Sequence, residues 1–296
     1  MKFILTVNPH GGTKKGLEIL NLVKPLFDSK GIELKIIETT FAGHAQTLAN
    51  QLSYSNISGF LGIGGDGTLH EIINGMLSRN DKKKIPIGII PGGSGNSYMH
   101  DLNLTDPIDA AKAIIKGDIK SLDTAMINVN HITKYANNMI GWGLVTDVGV
   151  MAEKFRWLGT NRYTILSVLE VLKHKSRPAI LIADGNKIED DFTFIIACNS
   201  IHVGKGMKMA PKAKLDDGLI DLIVIKAGVS RTRLLKVLPK LFDGSHIKEP
   251  EVSYLQVSEF ELIPKGNDQL NIDGEIIGRT PLKVKMIQNA FEMFVP

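Results

Sequence analysis

The chain has 296 residues, of which 43% are apolar and 22% charged, with a net charge of +4 and a pI of about 8.9. This composition is that of a folded globular protein of more than one domain, and it excludes a disordered or fibrous chain. The single cysteine, Cys198, excludes an internal disulfide and fits a reducing, cytoplasmic setting, and no uncharged stretch reaches membrane-spanning length. The apolar run 3–7 is too short for a signal peptide. The small positive excess favours anionic partners, but the lysines at 82–84 have no aromatic residues among them, so they read as a solvated loop and not as a nucleic-acid surface.

In chain order, residues 3–7 form a buried strand ending at Asn8-Pro9-His10-Gly11-Gly12, followed by an amphipathic helix over 15–27. Residues 33–38 alternate as a strand, and Thr39-Thr40 precede a helix over 42–52. The next unit is a strand over 57–63, a glycine loop over 64–68 and a helix from 69 to 76; a strand over 85–90 then ends in Pro91-Gly92-Gly93-Ser94-Gly95-Asn96. Alternating strands and helices imply a Rossmann-like parallel sheet with helices on both faces, its ligand lying beyond the carboxyl ends of the strands. The turns at 8–12, 39–40, 64–68 and 91–96 all fall on that edge. From residue 122 short alternating segments take over, at 123–129, 133–141, 178–184, 187–198, 219–226, 251–263 and 269–277. They predict a mostly β sandwich interrupted by helices over 151–171, broken at Gly159, and over 231–242. The expected domains are 1–122 and 123–284, with 285–296 returning to the first.

The stretch LGIGGDGTLHEIING at 61–75 concentrates the chemistry. Glycines at 64, 65 and 67 remove side chains that would keep a phosphate from backbone N–H groups at a helix start. Asp66 would repel a bare phosphate unless a metal ion or hydroxyl lay between them, so it suggests chemistry. Gly62, Gly64 and Gly67 also satisfy G-x-G-x-x-G, but the acid that a dehydrogenase needs about 20 residues on is missing. A plain glycine turn with Asp66 opening a helix is the simpler alternative. The eight histidines, His10 included, show no metal-ligand spacing.

NPHGG at 8–12, GGDGTLHEIINGM at 64–76, PGGSGN at 91–96, APKAKLDDGLIDL at 210–222 and IDGEIIGRTPLKV at 272–284 together resemble the diacylglycerol-kinase catalytic family of lipid kinases, in order and from end to end. Residues 139–164 and Ser94-Gly95-Asn96 resemble sphingosine kinases more than bacterial diacylglycerol kinases. The resemblance implies a Rossmann-like, NAD-kinase-like nucleotide domain, then a β-sandwich lipid domain. It also implies ATP and Mg²⁺ as cofactors and a lipid hydroxyl as phosphoryl acceptor. Asn8, Pro9, His10, Thr40, Gly64, Gly65, Gly67, Thr68, Ser94, Asn96 and Asp273 would contact the nucleotide, and Arg156 and Arg162 would grip its phosphates.

Asp66 by likeness to sphingosine kinases, or Glu275 by likeness to bacterial diacylglycerol kinases, would be the base. From sequence the preference falls on Asp66, with Glu275 required as base or as a nucleotide or metal partner. Asp123 would join the metal network through water. Asp217, with the carbonyls of Lys214 and Leu219, would hold a structural Mg²⁺. Asp147 and Leu144 would meet the lipid, with Trp142, Val145, Phe155, Trp157 and Leu158 as further acyl-pocket candidates. Sphingosine kinases carry a second aspartate where this chain has Gly149, which leaves the head group open. A cytoplasmic enzyme at the membrane surface is expected, with a homodimer among the options. The alternatives are an NAD kinase and a non-catalytic lipid or nucleotide sensor of the same fold.

Overall fold

In the computed structural model the chain divides into two units, Met1–Thr124 with Gln288–Pro296, and Ala125–Ile287. All residues are described except 13, 94, 130–131, 156–161, 174 and 205; at 153, 162–165 and 167 only the backbone is.

The first unit is built on β1 (Lys2–Val7), α1 (Gly16–Asp28), β2 (Glu33–Glu38), α2 (His44–Gln51), β3 (Gly59–Gly64), α3 (Asp66–Leu77), β4 (Ile87–Pro91), α4 (Ser97–Asp101) and α5 (Pro107–Lys116). Its strands run parallel in the order β4-β3-β1-β2. Leu61 and Ile63 of β3 share a core with Ile19 and Val23 of α1 and Ala111 and Ile114 of α5. A side chain at the alternate position, Gly62, would meet Ile72 of α3. Successive strand residues face opposite ways, so α3 covers one face and α1 with α5 the other. The four turns expected at the carboxyl edge therefore lie there. The helix α5 was not anticipated, although Asp106 accepting from Ile108 and Asp109, Pro107 at the first turn and Gly117 at φ 86° are strong start and stop signals.

The eight-residue α2 is too short to be stable alone, and α3 together with the residues just after it holds it at both ends. Glu71 accepts from the N–H groups of Gly43 and Ala45 at 2.9 and 3.0 Å, while buried Arg79 donates to the carbonyls of Ala49, Asn50 and Leu52. The carboxylate sits at the positive end of the helix dipole and the guanidinium at the negative end. Between them Gly75 lets the helices touch, since a Cβ there would come within 2.2 Å of the Gln46 carbonyl.

The second unit is antiparallel. Its strands are β5 (Ile119–Val129), which begins in the first unit, β6 (Ile132–Ala136), β7 (Met139–Gly143), β8 (Arg177–Ala183), β9 (Asn186–Cys198), the short β10 (His202–Val203) and β11 (Met207–Lys208), β12 (Ile220–Lys226), β13 (Val252–Val257), β14 (Glu259–Pro264), β15 (Gln269–Ile272), β16 (Glu275–Arg279) and β17 (Leu282–Phe294). Their inward residues, among them Ile127, Trp142, Leu181, Phe192, Leu222, Phe260 and Val284, bury one β core. At Asn289, with φ 50°, β17 has passed into the first unit, where buried Asp123 accepts its N–H at 2.8 Å. That contact gives Asp123 a structural task.

The helices of this unit correct the sequence reading. The stretch expected over 151–171 with a break at Gly159 is α6 (Leu144–Lys154) and α7 (Arg162–Lys173); it starts earlier because Gly143 at φ 82° ends β7 and opens α6, and Gly159 lies outside the described residues. The expected helix over 231–242 is α8 (Arg231–Val237) followed by a 3₁₀ turn, Leu238–Leu241, since Pro239 has no N–H to continue the α ladder.

Buried His246 bonds the Met209 carbonyl through Nε2, and burial holds its pKa below the ordinary value. Because a carbonyl only accepts, Nε2 carries the proton, and among the described residues Nδ1 has no partner to receive a second one. The folded pKa lies below the unfolded one, so the contribution is present above about pH 6.5 and lost as pH falls toward the folded value. The thermal midpoint is expected to drop between pH 7.5 and 5, and the His246→Gln variant to show a smaller drop on the same scan; equal drops would remove His246 as a cause.

Candidate active site

Two glycine turns meet at the carboxyl edge of the first sheet, and one side chain joins them. Asp66, at the start of α3, turns its carboxylate to α4, accepting from Ser97 N–H at 2.9 Å and Tyr98 N–H at 3.1 Å. Its own N–H donates to the Gly95 carbonyl at 3.1 Å, and Gly92 N–H donates to the Gly64 carbonyl at 2.8 Å. A carboxylate receiving backbone N–H groups at a helix start is favourably placed in its charged form. Asp66 thus acts as the clasp between turns 31 residues apart in sequence.

The glycines divide by task. A Cβ on Gly65 would sit 2.4 Å from the Gly95 carbonyl, one on Gly93 would sit 2.5 Å from the Gly65 Cα, and one on Gly64 would strike Thr68. Gly65 and Gly93 permit turn-against-turn packing, and Gly64 makes room for Thr68 of its own loop. Gly67 alone of the loop glycines has open space around its missing side chain. The expected loop over 64–68 is thus mostly the first turn of α3, with Thr68 N–H bonded to the Gly65 carbonyl.

The neighbouring turns are similarly built. Asn8 Oδ1 accepts from His10 N–H at 3.1 Å and Asn8 N–H donates to the Ile63 carbonyl, while the His10 side chain is exposed and Pro9 half-buried. At the end of β2, Thr40 N–H donates to His44 Nδ1 at 3.1 Å. Asn96 donates to the Gly93 carbonyl, and its buried Oδ1 accepts no hydrogen bond among the described residues. An unmet acceptor beside the glycine turns fits the water shell of a hard cation such as Mg²⁺. Ser94, Arg156, Trp157 and Leu158 lie outside the described residues, and Arg162 is described only as the first backbone position of α7.

In the second unit, Asp273, at φ 51°, accepts from the N–H groups of Asn137, Asn138 and Met139, each at 2.9 Å. Its carboxylate therefore fixes the β15–β16 turn to the start of β7 and is already committed to backbone. Glu275, two residues on, is exposed and has no hydrogen-bond or ion-pair partner among the described residues. Of the two candidate bases, Asp66 accepts backbone N–H groups and Glu275 has no partner among the described residues.

Asp147 receives Arg177 Nη2 on both oxygens at 2.9 Å. A side chain at Gly149 would meet Asn271 Nδ2 at 2.8 Å, so a second aspartate does not fit there without a shift. Leu144 is packed with Val171, Ile225 and Leu234, and Trp142 is buried with its indole N–H on Asp268; Val145 and Phe155 are half-buried. Leu144 and Trp142 are core residues. In the 214–219 loop, Gly218 at φ 75° folds the chain so that Leu219 N–H reaches Asp217 Oδ1. Nearby Asp221 is buried, accepts from the Tyr254 hydroxyl, and is pushed up to about 6 by burial first and by the Asp217 charge. A cation at this loop would favour the charged form of that buried carboxylate.

A family profile described as "Diacylglycerol kinase catalytic domain" matches residues 2–127, and one described as "YegS C-terminal NAD kinase beta sandwich-like domain" matches 138–295. Arabidopsis thaliana "Sphingosine kinase 1" is 31% identical, the match covering 98% of this chain and 71% of that protein. The chain belongs to the diacylglycerol-kinase catalytic family. Membership makes it an enzyme, a lipid kinase that uses ATP. Bacillus subtilis "Diacylglycerol kinase" is 26% identical over 93% of this chain and 89% of its own. A solved diacylglycerol kinase structure from Bacillus anthracis is 25% identical, with a TM-score of 0.82 covering 100% of this chain and 97% of that one. An Archaeoglobus fulgidus NAD kinase shares the fold alone, at 14% identity and a TM-score of 0.52. The fold is accordingly the expected one, a parallel α/β domain followed by a β-rich domain. No described helix is long and apolar enough to cross a membrane.

The two kinds of glycine make the packing of the clasp measurable. Gly65→Ala is expected to lower the thermal midpoint by several degrees, since a backbone clash costs about 1–3 kcal/mol. Gly67→Ala should leave the midpoint nearly unchanged. Calorimetry giving equal shifts for the two would contradict the division.

Proposed function

We propose that the first unit binds ATP through the clasped glycine turns and that the second presents a lipid hydroxyl to its γ-phosphoryl group. The observation that carries the reading is the Asp66 clasp, which brings two glycine turns together at the carboxyl edge of a parallel sheet, where such folds hold phosphates. Asn8, Pro9, His10, Thr40, Gly67, Thr68 and Asn96 would line the nucleotide, with Ser94, Arg156 and Arg162 taking the roles that the family resemblance gives them. Mg²⁺ bound with the nucleotide would offset phosphate charge, and the unmet Asn96 Oδ1 supports such a hydrated ion. Asp66 holds the turns, and Glu275, whose carboxylate is uncommitted, takes the proton of the attacking hydroxyl. Positioning and charge do most of the work in phosphoryl transfer, so the base matters for turnover more than for binding.

The lipid head we assign is a neutral hydroxyl-bearing one of the diacylglycerol kind. Asp147 is already neutralised by Arg177 and position 149 is closed by Asn271, which leaves little anionic surface for an ammonium group. The sphingosine-kinase relative supports a sphingoid base as the second reading. Exposed Val168, Leu169 and Leu172 on α7 support peripheral attachment to a lipid surface.

Transfer of labelled phosphate from ATP to a panel of diacylglycerol, ceramide and sphingosine in mixed vesicles tests this directly. Diacylglycerol is expected to be the better acceptor; a preference for sphingosine would overturn the head-group assignment, and no lipid phosphate with folded protein and Mg²⁺ would leave only the sensor alternative. Glu275→Gln is expected to lower kcat by roughly 10²- to 10⁴-fold at unchanged thermal midpoint, whereas Asp66→Asn should lower both. A Glu275→Gln enzyme with near-normal kcat would return the base to Asp66.

The loop of Lys214, Asp217 and Leu219 supports a second, structural Mg²⁺ site made of one carboxylate and carbonyl oxygens, a hard donor set suited to that ion. Adding Mg²⁺ without nucleotide is expected to raise the thermal midpoint, and Asp217→Ala to abolish most of the rise. An equal rise in the variant would dismiss the site.

A further inference from the structure

The turn after β2 is held more firmly than an ordinary surface turn. Thr39 N–H donates to the Val7 carbonyl at 2.8 Å, Thr40 N–H to His44 Nδ1 at 3.1 Å, and Gly43 and Ala45 N–H to the two oxygens of Glu71. Gly43, at φ 87°, makes the bend that lets these bonds close. On this fixed turn stands Phe41, 59% exposed, with its ring stacked on the His44 imidazole at 4.5 Å between centroids and 16° between planes. The Thr40 bond makes Nδ1 an acceptor, which fixes the orientation of the imidazole under the phenyl ring. One face of Phe41 is thus backed by His44 while much of the residue stays open to solvent. A large apolar side chain left exposed on a turn that four backbone N–H bonds hold has no packing role in the core.

We propose that the Phe41–His44 stack is the platform on which the base ring of the nucleotide rests. The inference extends the ATP reading above and depends on it. The sheet order places β2 two strands from β3, on the far side of β1. At about 4.8 Å per strand the Phe41 turn lies on the order of 10 Å along the edge from the glycine turns, a gap that a ribose and one phosphate bridge from a purine. The intervening turn at Asn8 to Gly12 would then lie beneath the sugar. A flat aromatic ring gives a purine a stacking surface without hydrogen-bond readout, and such contacts are lost on truncation to alanine.

Binding of ATP and of inorganic tripolyphosphate, each with Mg²⁺, separates the base from the phosphates. Phe41→Ala is expected to weaken ATP binding by about 5- to 100-fold and to leave tripolyphosphate binding within twofold, with the catalytic loss appearing in KM and not in kcat. Phe41→Trp should restore ATP affinity, and its added fluorescence should change with ATP but not with tripolyphosphate. Equal weakening of both ligands by Phe41→Ala, or weakening of neither, overturns the platform. Loss of vesicle binding at unchanged ATP affinity would also overturn it, in favour of a lipid contact. If the unaltered protein binds and uses ATP, any of these failures is confined to Phe41; if it does neither, the ATP reading itself fails.

Discussion

One carboxylate, Asp66, sets the geometry on which the first unit's edge depends. Its two oxygens accept N–H groups of α4 while its own N–H reaches back to Gly95. Without that clasp two mobile glycine-rich turns would have to be ordered by the ligand itself, and the ordering entropy would come out of binding. With it, the turns are preorganised, and Gly65 and Gly93 can be read as the residues that permit the approach. The carboxylate thereby serves position before chemistry.

The same economy recurs elsewhere. Glu71 on α3 and Arg79 just beyond its end hold the opposite ends of α2, so the helix that begins at the Asp66 clasp also fixes, through Glu71, the turn bearing Thr40, Phe41 and His44. Asp273 fixes the β15–β16 turn through three successive N–H groups and leaves Glu275 exposed beside it. In each unit a carboxylate committed to backbone N–H groups fixes a turn.

Much of the architecture was legible because it rests on short-range signals. The buried strands of the first sheet, each followed by a glycine or threonine turn and a helix, fixed the order and the functional edge. The alternation in segments such as Glu259–Pro264 marked the β region. Boundaries failed where the deciding feature is a backbone angle, as at Gly143, where the apolar run gives no sign that strand gives way to helix. Asp106, Pro107 and Gly117 do carry a local signal for α5. What sequence could not show were pairings across distance: Asp66 with Ser97 and Tyr98, Arg177 with Asp147, Asn271 against Gly149. Those contacts decide which candidate residues are engaged, and no local pattern encodes them.

The clasp is tested most directly by amide hydrogen exchange with and without ATP and Mg²⁺. If the two turns form one phosphate-binding edge, nucleotide should slow exchange at residues 64–69 and 92–98 together, to a similar degree. Protection of only one turn, or of neither in an enzyme that turns over ATP, would contradict it.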